Sequence, residues 1–223
     1  MTIRAVLFDL DGTLADTAPD LAGALNRLLA ECGRGPVPIE RARPVTSSGA
    51  RGMLQVGFGI DPLHDDYAAL KARFLDLYAD RICVETSLFD GVAELLAALE
   101  SRALPWGIVT NKAERFTLPL LSTLQIAKRA ACVVGGDTTP RAKPHPEPLL
   151  HAARAMSLEP AHCLYVGDDL RDVQAARAAG MAVLAAGYGY LGEPGDPHAW
   201  GADAVIGHPL EVLNHLDPPP AMG

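Results

Sequence analysis

Five short apolar runs, each ending in small or polar residues, restrict what this chain can fold into. They lie at 4–11, 105–111, 131–137, 162–169 and 182–187. Continuous apolar runs of this length are typical of strands that are buried on both faces of a sheet. Stretches with helical periodicity separate the later runs, at 91–102, 113–124, 146–156 and 170–180. Because strands and helices alternate, we predict an α/β fold with a doubly wound parallel sheet.

The segment between the first two predicted strands is too long for a single crossover helix. It contains three further helical patterns, at 17–32, 48–58 and 65–82. We therefore predict a small α-helical cap domain at 16–87, inserted into a core domain made of 1–15 and 88–223. Asp16 and Thr17 are the candidates for the N-cap of the first cap helix, because both side chains accept hydrogen bonds from backbone amides.

Composition excludes several classes of protein. The chain has 223 residues and a net charge of -8, with no cluster of basic residues, so nucleic acid is not an expected partner. The apolar run at the N-terminus is too short for a signal peptide or a membrane span, and we expect a cytoplasmic protein. The four cysteines lie far apart and should be reduced. Residues 217–223, rich in proline, should form a frayed tail.

Polar residues follow the predicted strands, where helix N-termini and loop amides of such a sheet converge on a ligand. They are Asp9, Asp11, Thr110, Asn111, Asp137, Asp168 and Asp169. Asp9 and Asp11 are separated by one residue, so both side chains would point to the same face of a continuing strand. Gly12, directly after them, permits a turn of the chain at this strand end.

Four segments of the chain resemble the motifs of the haloacid dehalogenase superfamily. They are DLDGTL at 9–14, GIVTNK at 107–112, KPHPEP at 143–148 and VGDDLRD at 166–172. Within the superfamily the chain is most similar to the phosphoglycolate phosphatase-like branch, through 133–150 and 187–190. The resemblance implies a Rossmann-like core with an inserted helical cap and a magnesium-dependent phosphatase activity.

The resemblance also implies catalytic roles for five residues. Asp9 would attack phosphorus, and Asp11 would act as general acid and then general base. The presence of Asp11 favours phosphate esters, since the dehalogenases that name the superfamily lack this second carboxylate. Thr110 and Asn111 would bind the phosphoryl oxygens, and Lys143 would offset their charge.

A magnesium ion is the implied cofactor. Asp168, the Asp9 carboxylate and the Asp11 carbonyl oxygen would bind it, while Asp172 would support the ligands or orient the catalytic lysine. Electrostatics independently favours a cation, because two like charges about 4 Å apart repel by about 4 kcal/mol at an effective dielectric constant near 20. Asp169 has two open interpretations, a helix N-cap or an outer contact to the metal.

The cap is expected to select the substrate. Ser48, Gly49 and Arg51 offer a hydroxyl, an amide and a guanidinium, which suit a substrate carboxylate or sugar hydroxyls. Alternatively, this segment is a plain capping turn with Arg51 in solvent. It lacks the WxGNG-like pattern of many phosphoglycolate phosphatases. The implied substrate is therefore 2-phosphoglycolate or a related small carboxylated or sugar phosphate, such as N-acetylmuramate 6-phosphate.

Three alternatives share parts of this pattern. A mutase of the β-phosphoglucomutase kind has the same motifs. A phosphonatase needs a cap lysine, and Lys71, the single lysine of the predicted cap, sits in an ordinary amphipathic pattern. A non-catalytic binding module on the same scaffold is disfavoured, since Asp9, Asp11, Lys143 and Asp168 are all retained although clustered charges are costly to bury. We expect a small-molecule substrate, no membrane partner, and a monomer or homodimer.

Overall fold

The computed structural model describes residues 2–192 and 195–216, so the predicted tail at 217–223 lies outside the described residues. Six parallel strands form its main sheet. They are β1 (Ala5–Phe8), β4 (Trp106–Val109), β5 (Val133–Val134), β6 (Cys163–Gly167), β7 (Ala182–Ala186) and β8 (Ala204–Ile206). Their spatial order is β5-β4-β1-β6-β7-β8. The strand order reverses around β1, as in a doubly wound sheet, which confirms the predicted fold class.

Both faces of the sheet are buried. Helices α5 (Val92–Ser101) and α6 (Glu114–Thr123) contribute to the apolar cluster on one face, and α7 (Glu147–Ala155) and α8 (Leu170–Ala179) to the cluster on the other. Residues of β1 alternate between the two clusters, Val6 and Phe8 entering the first, Ala5 and Leu7 the second. Burial on both faces explains why the strands read as continuous apolar runs.

The sheet differs from the sequence prediction in three details. Strand β8 was missed, because its three residues follow a turn-rich segment and present no long apolar run. Strand β5 has only two residues, shorter than the predicted 131–137. Strand β1 ends at Phe8, because the chain turns at the residues that follow it.

The inserted segment forms a helical layer with its own apolar interior. Its helices are α1 (Ala18–Glu31), α2 (Ile39–Ala42), α3 (Gly49–Phe58) and α4 (Tyr67–Ala79), with a 3₁₀ helix at Arg43–Ser48. Leu25, Met53 and Phe74 are among the buried side chains of this layer. Where the chain enters and leaves it, β2 (Ala15–Asp16) pairs antiparallel with β3 (Ser87–Leu88). We propose that the cap extends over 16–87, and this pairing supports that boundary.

The N-terminus of α1 departs from the expected capping pattern. Thr17 occupies the N-cap position without a side-chain capping bond, and the Tyr190 hydroxyl accepts a hydrogen bond from the Ala18 amide at 2.9 Å. The Thr17 hydroxyl instead donates to Asp11. Thr17 therefore contacts Asp11 of the candidate site and does not cap the helix through its side chain.

All four cysteines are free thiols. Burial raises the pKa of Cys163 and of Cys132 to about 11, so both remain protonated at neutral pH. Among the described residues, no helix combines the length and apolar character needed to span a membrane.

Candidate active site

The polar residues at the strand ends converge at one edge of the sheet. Asp9 follows β1, Thr110 follows β4 and Asp168 follows the last apolar residues of β6. The chain turns at Gly12, whose φ of 84° is accessible to glycine at little cost. A Cβ atom on Gly12 would also overlap the Asp168 carboxylate. Glycine is therefore required here both by the backbone conformation and by the close approach of the two segments.

A cavity of about 540 Å³ lies between this edge and the cap. Its inner part contains Asp9, Asp11, Thr110 and Lys143. Its wall is completed by apolar side chains and by further cations, including Leu21, Leu75, Tyr78, Phe116, Lys71, Lys112, Arg115 and Arg171. The volume is in the range that holds small-molecule ligands.

Three buried carboxylates form a cluster at the base of the cavity. One oxygen from each of Asp9, Asp168 and Asp172 lies within 4.8 Å of the others. Burial raises the pKa of Asp9 to about 7, although Lys143 acts in the opposite direction. Burial and the neighbouring Asp9 raise the pKa of Asp168 well above its usual range. Asp9 and Asp168 therefore resist being ionised at the same time unless a cation neutralises their charge.

The Asp9 carboxylate fits a role as a metal ligand and nucleophile. Its Oδ1 atom is buried and accepts no hydrogen bond of good geometry within the described residues, although Lys143 Nζ lies 3.0 Å away. A buried carboxylate oxygen normally has such a partner. The unsatisfied oxygen and the clustered carboxylates match the all-oxygen ligand set that magnesium prefers.

Asp168 is held from both core and cap. Thr13 Oγ1 donates to its Oδ1 at 3.0 Å, and the Tyr190 amide donates to its Oδ2 at 3.0 Å. Ser47 Oγ, in the 3₁₀ helix of the cap, donates to the same Oδ2 at 3.2 Å. The cap therefore contacts the carboxylate that the resemblance assigns to the metal.

Lys143 is enclosed by oxygen atoms. Its Nζ donates to Asp172 Oδ1 at 2.6 Å, to Tyr165 Oη at 2.7 Å and to the Val109 carbonyl at 2.9 Å. Burial acts to lower the pKa of Lys143, but Asp172 and Asp9 outweigh it and the pKa is raised. The ammonium therefore stays charged. The contact with Asp172 fits one of the two roles predicted for that residue, the orientation of Lys143.

Asn111 is engaged differently from the sequence prediction. Its Nδ2 donates to the Lys143 carbonyl at 2.9 Å, and the Lys143 amide donates to its Oδ1 at 3.0 Å. Both ends of the amide are thus used to position the Lys143 backbone. Asn111 also lines the cavity, so its contact with the phosphoryl oxygens stays a prediction.

Asp169 is the N-cap of α8, the first of its two interpretations. Its carboxylate accepts from the Arg171 amide at 2.9 Å, and Asp172 Oδ2 accepts from the Asp169 amide at 3.1 Å. The Arg171 guanidinium also pairs with Asp169 at 2.8 Å and donates to the Ser47 carbonyl at 2.7 Å. Arg171 therefore joins the core to the cap.

Two residues of the site escaped sequence reasoning. Lys112 Nζ lies 3.0 Å from Asp11 Oδ1 and donates to Tyr78 Oη at 3.2 Å. Burial opposes the charge of Lys112, yet Asp11 and Tyr78 outweigh it and its pKa is raised. The position of Lys112 just after a strand end was a usable signal. Tyr165, inside β6, gave none, because a strand tyrosine is ordinarily a core residue.

The cap residues divide into two groups. Ser48 and Gly49 line the cavity, as expected of substrate contacts. Arg51 is exposed on α3 and does not line the cavity, so the structure does not bring it together with them. Lys71 and Arg115 do line it, although the sequence presented Lys71 as part of an ordinary amphipathic helix.

Comparisons with known proteins identify the family to which the chain is similar. The family model described as haloacid dehalogenase-like hydrolase matches residues 6–186. An N-acetylmuramic acid 6-phosphate phosphatase of Pseudomonas putida is 45% identical over 217 residues, which cover 97% of each chain. A phosphoglycolate phosphatase of Xanthomonas campestris is 46% identical over 212 residues, which cover 94% of each chain.

A solved structure extends the similarity to three dimensions. The crystal structure of a predicted phosphoglycolate phosphatase from Haemophilus somnus superposes with a TM-score of 0.85 at 27% identity. The superposition covers 96% of this chain and 98% of that one. Since the family model spans most of the chain and relatives above 40% identity cover nearly all of it, this chain belongs to the haloacid dehalogenase-like hydrolase family.

Proposed function

We propose that this chain is a magnesium-dependent phosphatase that hydrolyses a small phosphomonoester through a phosphorylated Asp9. The observation that carries the proposal is the buried Asp9 carboxylate, which faces the cavity. Lys143 Nζ lies 3.0 Å from its Oδ1 atom, and this oxygen accepts no hydrogen bond of good geometry from the residues that the structure describes. A carboxylate so placed is available for attack on phosphorus. The lysine offsets charge both on the nucleophile and on the phosphoryl oxygens.

The neighbouring side chains have separate roles in the proposed reaction. Asp11 protonates the leaving oxygen of the ester and then takes a proton from the water that hydrolyses the acyl phosphate. Lys112 and Thr17 hold the Asp11 carboxylate in place, at 3.0 Å and 2.5 Å. Thr110 contacts the phosphoryl oxygens. Magnesium would be held by Asp9, Asp168 and the Asp11 carbonyl, and it would neutralise charge on the acidic cluster and on the phosphoryl group.

For the substrate we propose a sugar phosphate that carries a carboxylate, with N-acetylmuramic acid 6-phosphate as the first candidate. The cavity of about 540 Å³ is far larger than a two-carbon acid needs. The relative that covers 97% of this chain is named for that sugar phosphate. 2-Phosphoglycolate is the second candidate, favoured by relatives such as the one from Xanthomonas campestris. We place the activity in the cytoplasm.

The test is phosphate release from both candidates with magnesium, using wild type, Asp9→Asn and the exposed control Asp65→Asn. Asp9→Asn should lose at least a thousandfold in kcat, since an amide is a poor nucleophile, and the control should match wild type. In heavy-oxygen water, repeated turnover should place label in the Asp9 carboxyl group. Full activity of Asp9→Asn, or an unlabelled Asp9 after many turnovers, would contradict the mechanism. Isomerised phosphorylated sugars without free phosphate would instead identify a mutase.

A further inference from the structure

The cations of the cavity fall into two groups according to their partners. Three of them face carboxylates: Lys112 pairs with Asp11 at 3.0 Å, Lys143 with Asp9 and Asp172, and Arg171 with Asp169 at 2.8 Å. These ion pairs account for all four acidic side chains that line the cavity.

Lys71 and Arg115 form the second group. Neither side chain has a hydrogen bond or an ion pair with any part of the chain that the structure describes. The guanidinium carbon of Arg115 lies 4.5 Å from the centre of the Phe116 ring. Both are exposed, so they lie at the mouth of the cavity. Two unpaired cations at the mouth, above a site that binds phosphate, attract a second anionic group.

The position of Lys71 sets a distance from the chemistry. Lys71, Leu75 and Tyr78 line the cavity from one face of α4, at the spacing i, i+4, i+7. Tyr78 is buried at the inner end, where its hydroxyl meets Lys112 beside Asp11. Seven residues of helix separate Tyr78 from Lys71 by about 10 Å along the axis. An anion bound at Lys71 is therefore well separated from a phosphoryl group at Asp9.

Arg115 approaches the mouth from the core. It lies in the first turn of α6, next to Phe116, whose ring lies 5.5 Å from that of Tyr78. Lys71 belongs to the cap and Arg115 to the core, so an anion held by both would bridge the two layers. A planar guanidinium on one side and a mobile ammonium on the other suit a carboxylate.

We propose that Lys71 and Arg115 form a subsite for the substrate carboxylate, and that this subsite selects sugar-sized phosphate esters over 2-phosphoglycolate. The inference rests on the proposed function and deepens it. In N-acetylmuramic acid 6-phosphate the phosphate extends from C6 and the lactyl carboxylate from the oxygen on C3, so the sugar ring holds two anionic groups several bonds apart and both anionic sites can be filled together. A two-carbon acid cannot span them.

The test compares two substrates that differ by the lactyl carboxylate, N-acetylmuramic acid 6-phosphate and N-acetylglucosamine 6-phosphate. Lys71→Met and Arg115→Met should each raise KM for the muramic acid ester about fivefold to tenfold and leave kcat within about twofold. KM for the glucosamine ester should not change. A general structural defect would instead raise KM for both esters. Lys128→Met and Arg154→Met, both exposed outside the cavity, are the matched controls.

Three results would overturn the subsite: equal effects on both esters, unchanged KM in both variants, or a selective increase in KM caused by Arg51→Met in their place. p-Nitrophenyl phosphate separates the two proposals. If wild type hydrolyses it with magnesium but the variants show no selective loss, the subsite fails and the phosphatase assignment stands. If wild type releases phosphate from no ester, the proposed function itself fails.

Discussion

At the scale of single residues, the site is organised around the ammonium of Lys143. Three of its neighbours come from β4, β6 and α8, namely the Val109 carbonyl, the Tyr165 hydroxyl and the Asp172 carboxylate. Because the group is fully enclosed, each lost contact either reorients the ammonium or leaves a buried polar atom unsatisfied. Substitutions of these neighbours should therefore change the position of the ammonium relative to Asp9 and so affect the reaction.

Tyr165→Phe removes one hydroxyl and keeps the packing of the ring. We expect kcat to fall about tenfold, because the ammonium loses one of its contacts and shifts relative to Asp9, while KM stays within about twofold. Steady-state kinetics on N-acetylmuramic acid 6-phosphate measures both constants. Tyr67→Phe, on the cap helix α4, is the control and should match wild type. An unchanged kcat for Tyr165→Phe would remove Tyr165 from the positioning of Lys143.

At the scale of secondary-structure elements, Asp20 ties the entry and exit of the cap together. It is a buried acidic residue of α1. Its carboxylate accepts hydrogen bonds from the amides of Val84, Glu85 and Thr86, and from the Thr86 hydroxyl at 2.6 Å. These residues lie just before β3, where the chain returns to the core. The Asp20 side chain thus fixes residues 84–86, the linker between the cap and β3, relative to α1.

Asp20→Ala should destabilise the protein by about 2 kcal/mol, because four hydrogen bonds to a charged acceptor are lost and the freed amides regain only part of that energy from water. Urea unfolding measures this difference. Asp76→Ala, exposed on α4, should change the free energy of unfolding by less than about 0.5 kcal/mol. Equal stabilities of the two variants would show that the linker is held by other contacts.

At the scale of the whole molecule, the acidic character of the chain contrasts with the more nearly balanced charge of the site. The chain carries a net charge of -8, yet the cavity is lined by five cationic and four acidic side chains. An anionic substrate is thus drawn to a cavity whose cationic side chains offset its acidic ones. At the base of the cavity, burial raises the pKa of Asp9 and of Asp168. These two carboxylates oppose folding at neutral pH when no metal is bound.

This charge arrangement predicts a pH-dependent stability of the metal-free protein. The pKa of Asp9 rises from 3.8 to about 7 on folding, chiefly through burial, so the folded state holds a proton that the unfolded chain releases. Stability should therefore fall as pH rises from about 4 to about 7, and magnesium should restore it above that range. Thermal unfolding in EDTA, with and without added magnesium, measures both effects.

Asp9→Asn is the reference variant for this experiment, since it cannot ionise at that position. Its melting temperature in EDTA should decline less than that of wild type over the same pH interval, by roughly 5 °C or more. Magnesium should stabilise it less than wild type. Identical pH profiles for the two proteins would mean that Asp9 does not carry the raised pKa.

Much of the fold and of the acidic site could be predicted from the sequence for a local reason. Burial on both faces produces continuous apolar runs, and the carboxyl ends of parallel strands share one edge of the sheet, so Asp9, Thr110 and Asp168 must approach one another. Strand β8 was missed because it has no such apolar run. Its three residues follow a turn-rich segment and give too little periodic signal.

The sequence by itself determined which residues are the candidates for the chemistry, because strand ends and motif spacing are local properties of the chain. Only the tertiary structure decided which charges are paired. Lys112 meets Asp11, Arg171 meets Asp169 and the cap, and Arg51 stays outside the cavity. Lys71 and Arg115 reach it without a carboxylate partner among the residues that the structure describes. The physical reason is that ion pairing depends on distances of a few ångströms between elements far apart in sequence, and no pattern along one element encodes them.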